Sequence, residues 1–137
     1  MQKEFELELN QLNVLIKYLK EIINEDCIVI LRGDLASGKT TLVKNYVKAL
    51  GLTDLVTSPT FSLQAIYSDN IFHYDVYNKT LGEFISLGML EEFEKQGVHF
   101  VEWGDEKLED ILKDYGFQVV LVEIRKNDDK RLYSIDA

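Results

Sequence analysis

Cys27-Ile28-Val29-Ile30-Leu31-Arg32-Gly33-Asp34-Leu35-Ala36-Ser37-Gly38-Lys39-Thr40-Thr41-Leu42 is the stretch whose reading decides the fold. Its first five residues are apolar without interruption, as expected of a strand covered on both faces. Gly33 to Thr40 then fits the pattern G-x-x-x-x-G-K-[ST]. Beyond it Leu42, Val43, Tyr46, Val47 and Leu50 recur at helical spacing, and Gly51 is suited to end the helix. Strand, glycine loop and helix, in that order, are the context in which this pattern holds phosphate. Successive loop N–H groups converge on the anion, and the helix that follows adds the partial positive charge of its first turn. Gly33 and Gly38 permit backbone angles and approaches that a side chain would obstruct. The expected phosphate-binding set is Gly33, Asp34, Leu35, Ala36, Ser37, Gly38, Lys39, Thr40 and Thr41. Lys39 can reach the β- and γ-phosphates, and the Thr40 hydroxyl can ligate Mg2+.

Outward from this loop, strands and helices alternate. Phe5, Leu7 and Leu9 alternate with glutamates, the pattern of a half-exposed strand near a sheet edge. Leu12, Leu15, Ile16, Leu19, Ile22 and Ile23 predict a helix with Asn10 as its cap. Residues Phe61 to Tyr67 and Ile71 to Tyr77 read as an antiparallel hairpin turning at Ser68-Asp69-Asn70. Thr80-Leu81-Gly82-Glu83 is a capping box that opens a short helix, and a second helical piece runs through Leu90 and Phe93 towards Gly97. Val98 to Val101 predicts a buried strand, Asp105 to Lys113 a helix, and Phe117 to Ile124 and Arg131 to Ile135 two closing strands. The fold class expected is α/β: a three-layer P-loop NTPase-like sandwich with a mixed, largely parallel central sheet, as one domain over residues 1–137.

A magnesium nucleotide calls for a further acid at the end of a neighbouring apolar strand. Asp75 follows Ile71-Phe72-His73-Tyr74, and Glu102 follows Val98-His99-Phe100-Val101; spacing alone does not rank the two. His73 and His99 read as strand histidines rather than ligands, and no cysteine–histidine spacing suggests zinc. A guanine-specific Asn-Lys-x-Asp is absent, since Asn78-Lys79-Thr80-Leu81 carries leucine at the aspartate position, so adenine is preferred and ATP/ADP expected. The chain has three arginines, Arg32, Arg125 and Arg131. Phosphoryl transfer to a second substrate usually needs more cations than that, which disfavours a small metabolite kinase and predicts slow hydrolysis without a partner.

The 137 residues carry 15 basic against 24 acidic side chains, a formal net charge of −9 that repels free nucleic acid except at a local patch such as Lys44 and Lys48. With 46% hydrophobic residues the chain can bury a core without disulfides, and its single cysteine, Cys27, is expected as a core thiol. Met1 to Glu6 offers neither a basic nor a long apolar leader, and no stretch approaches the ~20 apolar residues of a membrane span, so a soluble cytoplasmic protein is expected.

Four ordered segments together resemble one family, the TsaE (YjeE) ATPases of bacterial tRNA threonylcarbamoyladenosine synthesis. They are Gly33 to Thr41, Thr57-Ser58-Pro59-Thr60-Phe61, His73-Tyr74-Asp75-Val76-Tyr77 and Val101-Glu102-Trp103, with Leu87 to Glu92 resembling the intervening helical segment. The resemblance implies an ATP-binding, slowly hydrolysing subunit that acts with TsaD and TsaB, the carbamoyl chemistry belonging to TsaD. It implies Lys39, Asp75 and Glu102 as catalytic residues: Lys39 on the phosphates, Asp75 near the γ-phosphate, and Glu102 sharing Mg2+ with Thr40. It further implies a switch-type loop at Thr57 to Phe61 and an aromatic neighbour of the metal acid at Trp103. Two departures stand out. Ala36 and Ser37 replace the glycine and alanine usual in the family, and Asn78-Lys79 replaces its common arginine and leucine.

Overall fold

The computed structural model describes residues 2–23, 26–34, 37–57, 59, 63–68 and 70–137. Strand β1 (Gln2–Leu7) leads through a 3-10 turn into α1 (Leu12–Ile22); β2 (Cys27–Arg32) leads through the glycine loop into α2 (Lys39–Ala49). The hairpin β3 (Gln64–Tyr67) and β4 (Ile71–Asp75) follows, then the short helices α3 (Leu81–Ser86) and α4 (Met89–Glu92). Strand β5 (Val98–Glu102), helix α5 (Glu106–Asp114) and the final pair β6 (Val119–Asn127) and β7 (Lys130–Asp136) complete the order.

Among the described residues seven strands join in one sheet, ordered β1-β7-β6-β2-β5-β4-β3. The four central strands β6, β2, β5 and β4 run parallel, whereas β1, β7 and β3 pair antiparallel at the two flanks. The mixed sheet with a parallel centre is thus present, with the antiparallel pairings confined to its sides. Buried parallel strands need apolar residues on both faces, and β2 supplies them. Cys27, Val29 and Leu31 pack with Leu15, Leu19, Leu42 and Val43 of α1 and α2, while Ile28 and Ile30 pack with Phe84, Leu108 and Leu112 of α3 and α5. Helices cover both faces, giving the three layers, and each such fully buried aliphatic side chain contributes about 1.5–3 kcal/mol relative to exposure. Cys27 is buried, and that burial pushes its thiol up to about 12. Among the described residues no helix is long and apolar enough to cross a membrane.

Several local expectations need correction. Leu9 does not continue the β1 alternation: it is 72% exposed in the 3-10 turn, where the Glu8 N–H donates to Gln11 Oε1. Asn10 therefore caps nothing, because the helix starts at Leu12, beyond that turn. The hairpin strands are shorter than their apolar runs, Gln64–Tyr67 against Ile71–Asp75, with Phe61 and Asp69 outside the described residues. Strand β6 begins at Val119 rather than Phe117 and continues to Asn127. The capping box at Thr80 and Glu83 is formed with both hydrogen bonds at 3.1 Å. The Asp105 side chain caps α5 by accepting from the Leu108 N–H.

Candidate functional site

In parallel α/β sheets the carboxyl ends of the strands are where ligands bind, and here the chemistry gathers there. Strand β2 ends at Arg32 and opens directly into the glycine loop. In the neighbouring strand β5, Glu102 pairs with Leu31 of β2 on one side and with Asp75 of β4 on the other. Alternation along β4 and β5 then sets His73, Asp75 and Glu102 on the face that packs against α2.

The glycine requirements of the loop are visible at two positions. A Cβ on Gly33 would stand 2.5 Å from Ser37 Oγ and 2.7 Å from the Ile124 carbonyl oxygen, and Gly38 has φ +111°. The Leu42 N–H donates to the Gly38 carbonyl at 2.9 Å, so the helix is wound from the loop onward. Lys39 is 4% exposed as a residue, and its ammonium folds back along the loop. It donates to the carbonyls of Gly33 at 2.7 Å and Asp34 at 3.0 Å, and it lies 3.9 Å from the Trp103 ring centroid. Burial lowers the lysine below its ordinary value, and the carboxylates of Glu102, Asp75 and Asp34 oppose that shift. A cation held there against its desolvation cost is an electrostatic anchor for an arriving anion.

Thr40 donates its hydroxyl to Glu102 Oε2 at 2.7 Å. Cis ligands of an octahedral magnesium, each at about 2.0–2.1 Å, lie roughly 3 Å apart, so this hydroxyl and carboxylate fit as neighbours in such a shell. Among the described residues no group of three or more His, Cys, Asp or Glu side chains forms a complete metal cage. Magnesium in nucleotide sites generally takes few protein oxygens and draws the rest from phosphate and water. Asp75 is buried opposite Glu102, with Oδ1 accepting from the Tyr77 N–H at 2.9 Å. Trp103 holds φ +70°, an uncommon angle for a bulky side chain, and strain of this kind collects at functional sites. Its neighbour Gly104 has no room for a side chain, since a Cβ would stand 2.9 Å from Ile30 Cγ2.

The structure therefore brings together Gly33, Asp34, Ser37, Gly38, Lys39, Thr40, Asp75, Glu102 and Trp103. Thr41, one turn into α2, gives its carbonyl to Asn45 Nδ2. Leu35 and Ala36 of the loop, and Ser58, Thr60 and Phe61 of the switch-type segment, lie outside the described residues. Sequence reasoning missed two participants. His73 is fully buried, as expected of a strand histidine, yet its Nε2 sits 2.5 Å from Glu102 Oε2. The period-two spacing from His73 to Asp75 was the available signal. Arg131, on β7, donates from Nε to the Ser37 carbonyl at 3.1 Å and so braces the loop from 94 residues away in sequence, where no local signal exists. Beside the loop opens a cavity of about 780 Å³ lined by residues including Arg32, Asp34, Trp103, Glu106 and Arg125.

The family model described as "Threonylcarbamoyl adenosine biosynthesis protein TsaE" matches residues 7–133. A Bacillus subtilis protein named tRNA threonylcarbamoyladenosine biosynthesis protein TsaE is 39% identical over 113 residues, covering 80% of this chain and 69% of the relative. A Treponema pallidum protein of the same name is 39% identical over 87 residues, 61% of this chain and 64% of its own length. Among solved structures, a crystal structure of YdiB from Bacillus subtilis superposes with a TM-score of 0.71 at 26% identity, covering 98% of this chain and 84% of that one. With its family model matched over 7–133, this chain belongs to the TsaE family.

Proposed function

We propose that the chain is an ATP-binding and slowly hydrolysing subunit required for threonylcarbamoyladenosine modification of tRNA, acting as a nucleotide-dependent switch on TsaD and TsaB. The observation that carries the reading is the contact of Thr40 with Glu102 beside the glycine loop, which sets a hydroxyl and a carboxylate near the Lys39 ammonium on that loop. On this reading residues 33–41 hold the phosphates of ATP or ADP as part of a single domain, Lys39 neutralises them, and Thr40 and Glu102 hold Mg2+. When bound, the metal supplies neutralisation of charge on the phosphate oxygens. Asp75, buried across from Glu102, orders the γ-phosphate side of the site.

Slow hydrolysis by the chain alone is supported by the engagement of Arg32 and Arg131, while among the described residues the exposed Arg125 meets only Glu123, at the surface. Arg32 donates to the Gly104 carbonyl and pairs with Glu109, and Arg131 donates to the Ser37 carbonyl. A cation brought by a partner can raise phosphoryl-transfer rates by about 10³–10⁵. ATP turnover is therefore expected to be slow for the purified chain and to rise at least about tenfold when TsaD and TsaB are added, well inside that range. Fast turnover that is unchanged by both proteins would refute the reading.

A further inference from the structure

The Glu102 carboxylate that faces Thr40 is also the end of a buried hydrogen-bond sequence. Its Oε2 lies 2.5 Å from His73 Nε2; His73 Nδ1 lies 2.9 Å from the Tyr67 hydroxyl; and that hydroxyl lies 3.2 Å from the Thr57 carbonyl oxygen. His73 and Tyr67 are both buried, and their rings lie 5.9 Å apart. Thr57 is the exposed first residue of the segment resembling a switch loop. The route therefore crosses from β5 through β4 and β3 to the chain between α2 and β3.

Proton counting gives this sequence a direction. A carboxylate only accepts, so His73 Nε2 carries the hydrogen between them. A ring with one N–H then presents Nδ1 as an acceptor, and Tyr67 donates to it. The Thr57 carbonyl also only accepts, and Tyr67 has a single hydroxyl hydrogen for two acceptors within reach. How firmly His73 is held by Glu102 thus bears on which acceptor Tyr67 serves. Carboxylates that ligate a metal are characteristically oriented by such outer partners.

We propose that His73 is the positioning residue for the Glu102 carboxylate, and that Tyr67 couples that carboxylate to the Thr57 segment through its contested hydrogen. This rests on the magnesium–nucleotide reading of the site. On this reading neither residue contacts the nucleotide directly. His73 meets the same Oε2 that accepts from Thr40 and so holds the carboxylate oriented towards Thr40, and a bound cation would redistribute the hydrogen bonds that reach Thr57.

The test uses the whole chain, ADP, and Mn2+ as a paramagnetic stand-in for Mg2+. Mn2+ binding to the ADP-loaded protein is read by electron paramagnetic resonance, and amide exchange of the peptide containing Thr57 is read before and after Mg2+. Tyr67→Phe removes only the hydroxyl. It is expected to bind ADP in EDTA within about twofold of the unsubstituted chain, since one neutral hydrogen bond is at stake, yet to lose the Mg2+-dependent exchange change at Thr57. His73→Asn, whose amide stands in for Nδ1, is expected to weaken Mn2+ about tenfold or more. His73→Gln, whose amide stands in for Nε2, is expected to recover most of that loss. The proposal is overturned if Tyr67→Phe and His73→Asn both reproduce the unsubstituted chain in metal affinity and exchange. Absence of ADP binding in the unsubstituted chain would overturn the underlying nucleotide reading as well, and is recognisable because no substitution is involved.

Discussion

Thr40 and Lys39 are adjacent residues with opposite tasks, and the first turn of α2 keeps them apart. Lys39 turns back over the loop carbonyls, whereas Thr40 turns to Glu102. Thr40→Val keeps the branched shape and removes the hydroxyl, so it isolates the proposed metal contact. ADP binding in EDTA is expected to stay within about twofold of the unsubstituted chain, because a single hydroxyl contact is lost, while the gain in affinity on adding Mg2+ falls about tenfold. Calorimetry with and without Mg2+ measures both, and an undiminished Mg2+ effect would remove Thr40 from the metal site. At this scale the placement of Gly33, Gly38, Lys39 and Thr40 at the strand-to-helix junction was legible because its signals are local: glycine spacing, a lysine and a hydroxyl. For His73 the period-two spacing gives only a shared face with Asp75, since a histidine in an apolar run carries no mark of which strand will lie beside it. Only the pairing of β4 with β5 brings its ring to Glu102.

Between elements, the second histidine shows what burial without a site does. His99 on β5 stacks on Phe72 of β4 at 4.3 Å between ring centroids and meets Phe93 edge-on. Its Nε2 donates to the Lys95 carbonyl at 2.8 Å, and its Nδ1 accepts from the Tyr74 hydroxyl at 2.7 Å, so the neutral ring is fully satisfied. Burial lowers its affinity for a proton below the ordinary value of 6.5, against smaller contrary effects of the Lys95 carbonyl, Asp26 and Glu92. The unfolded chain takes up that proton at a higher pH than the folded one. His99 therefore costs no stability above 6.5, and stability is lost as pH falls through 6.5 towards the lowered folded value. Denaturant unfolding at pH 7 and pH 5 should show a steeper loss in the unsubstituted chain than in His99→Gln; equal losses would contradict the assignment. Element types were largely readable from periodicity and caps, as at Thr80 and Asp105. Their ends were not, because β3 begins where its register with β4 begins, at Gln64, and β4 ends where its register with β5 ends, at Asp75, rather than where the apolar runs do.

The order β1-β7-β6-β2-β5-β4-β3 places the loop-bearing strand β2 between β5 and β6 and brings three strand ends from distant parts of the chain to one place. Local patterning does not carry such an order, since the strand pairings are long-range and fixed by packing on both faces. Arg131, reaching Ser37 from the last strand, is a product of that order alone. On the proposed nucleotide reading, a chain of net charge −9 would present an anion site through backbone N–H groups and one buried lysine, which act locally where overall charge does not. The most direct measurement of the central claim is calorimetric titration of Mg2+ with ADP into the chain and into Lys39→Ala. The arrangement described predicts one site per chain, with affinity reduced at least about tenfold in Lys39→Ala through loss of charge-assisted hydrogen bonds to phosphate. No heat from the unsubstituted chain, or equal affinity in the two, would contradict it.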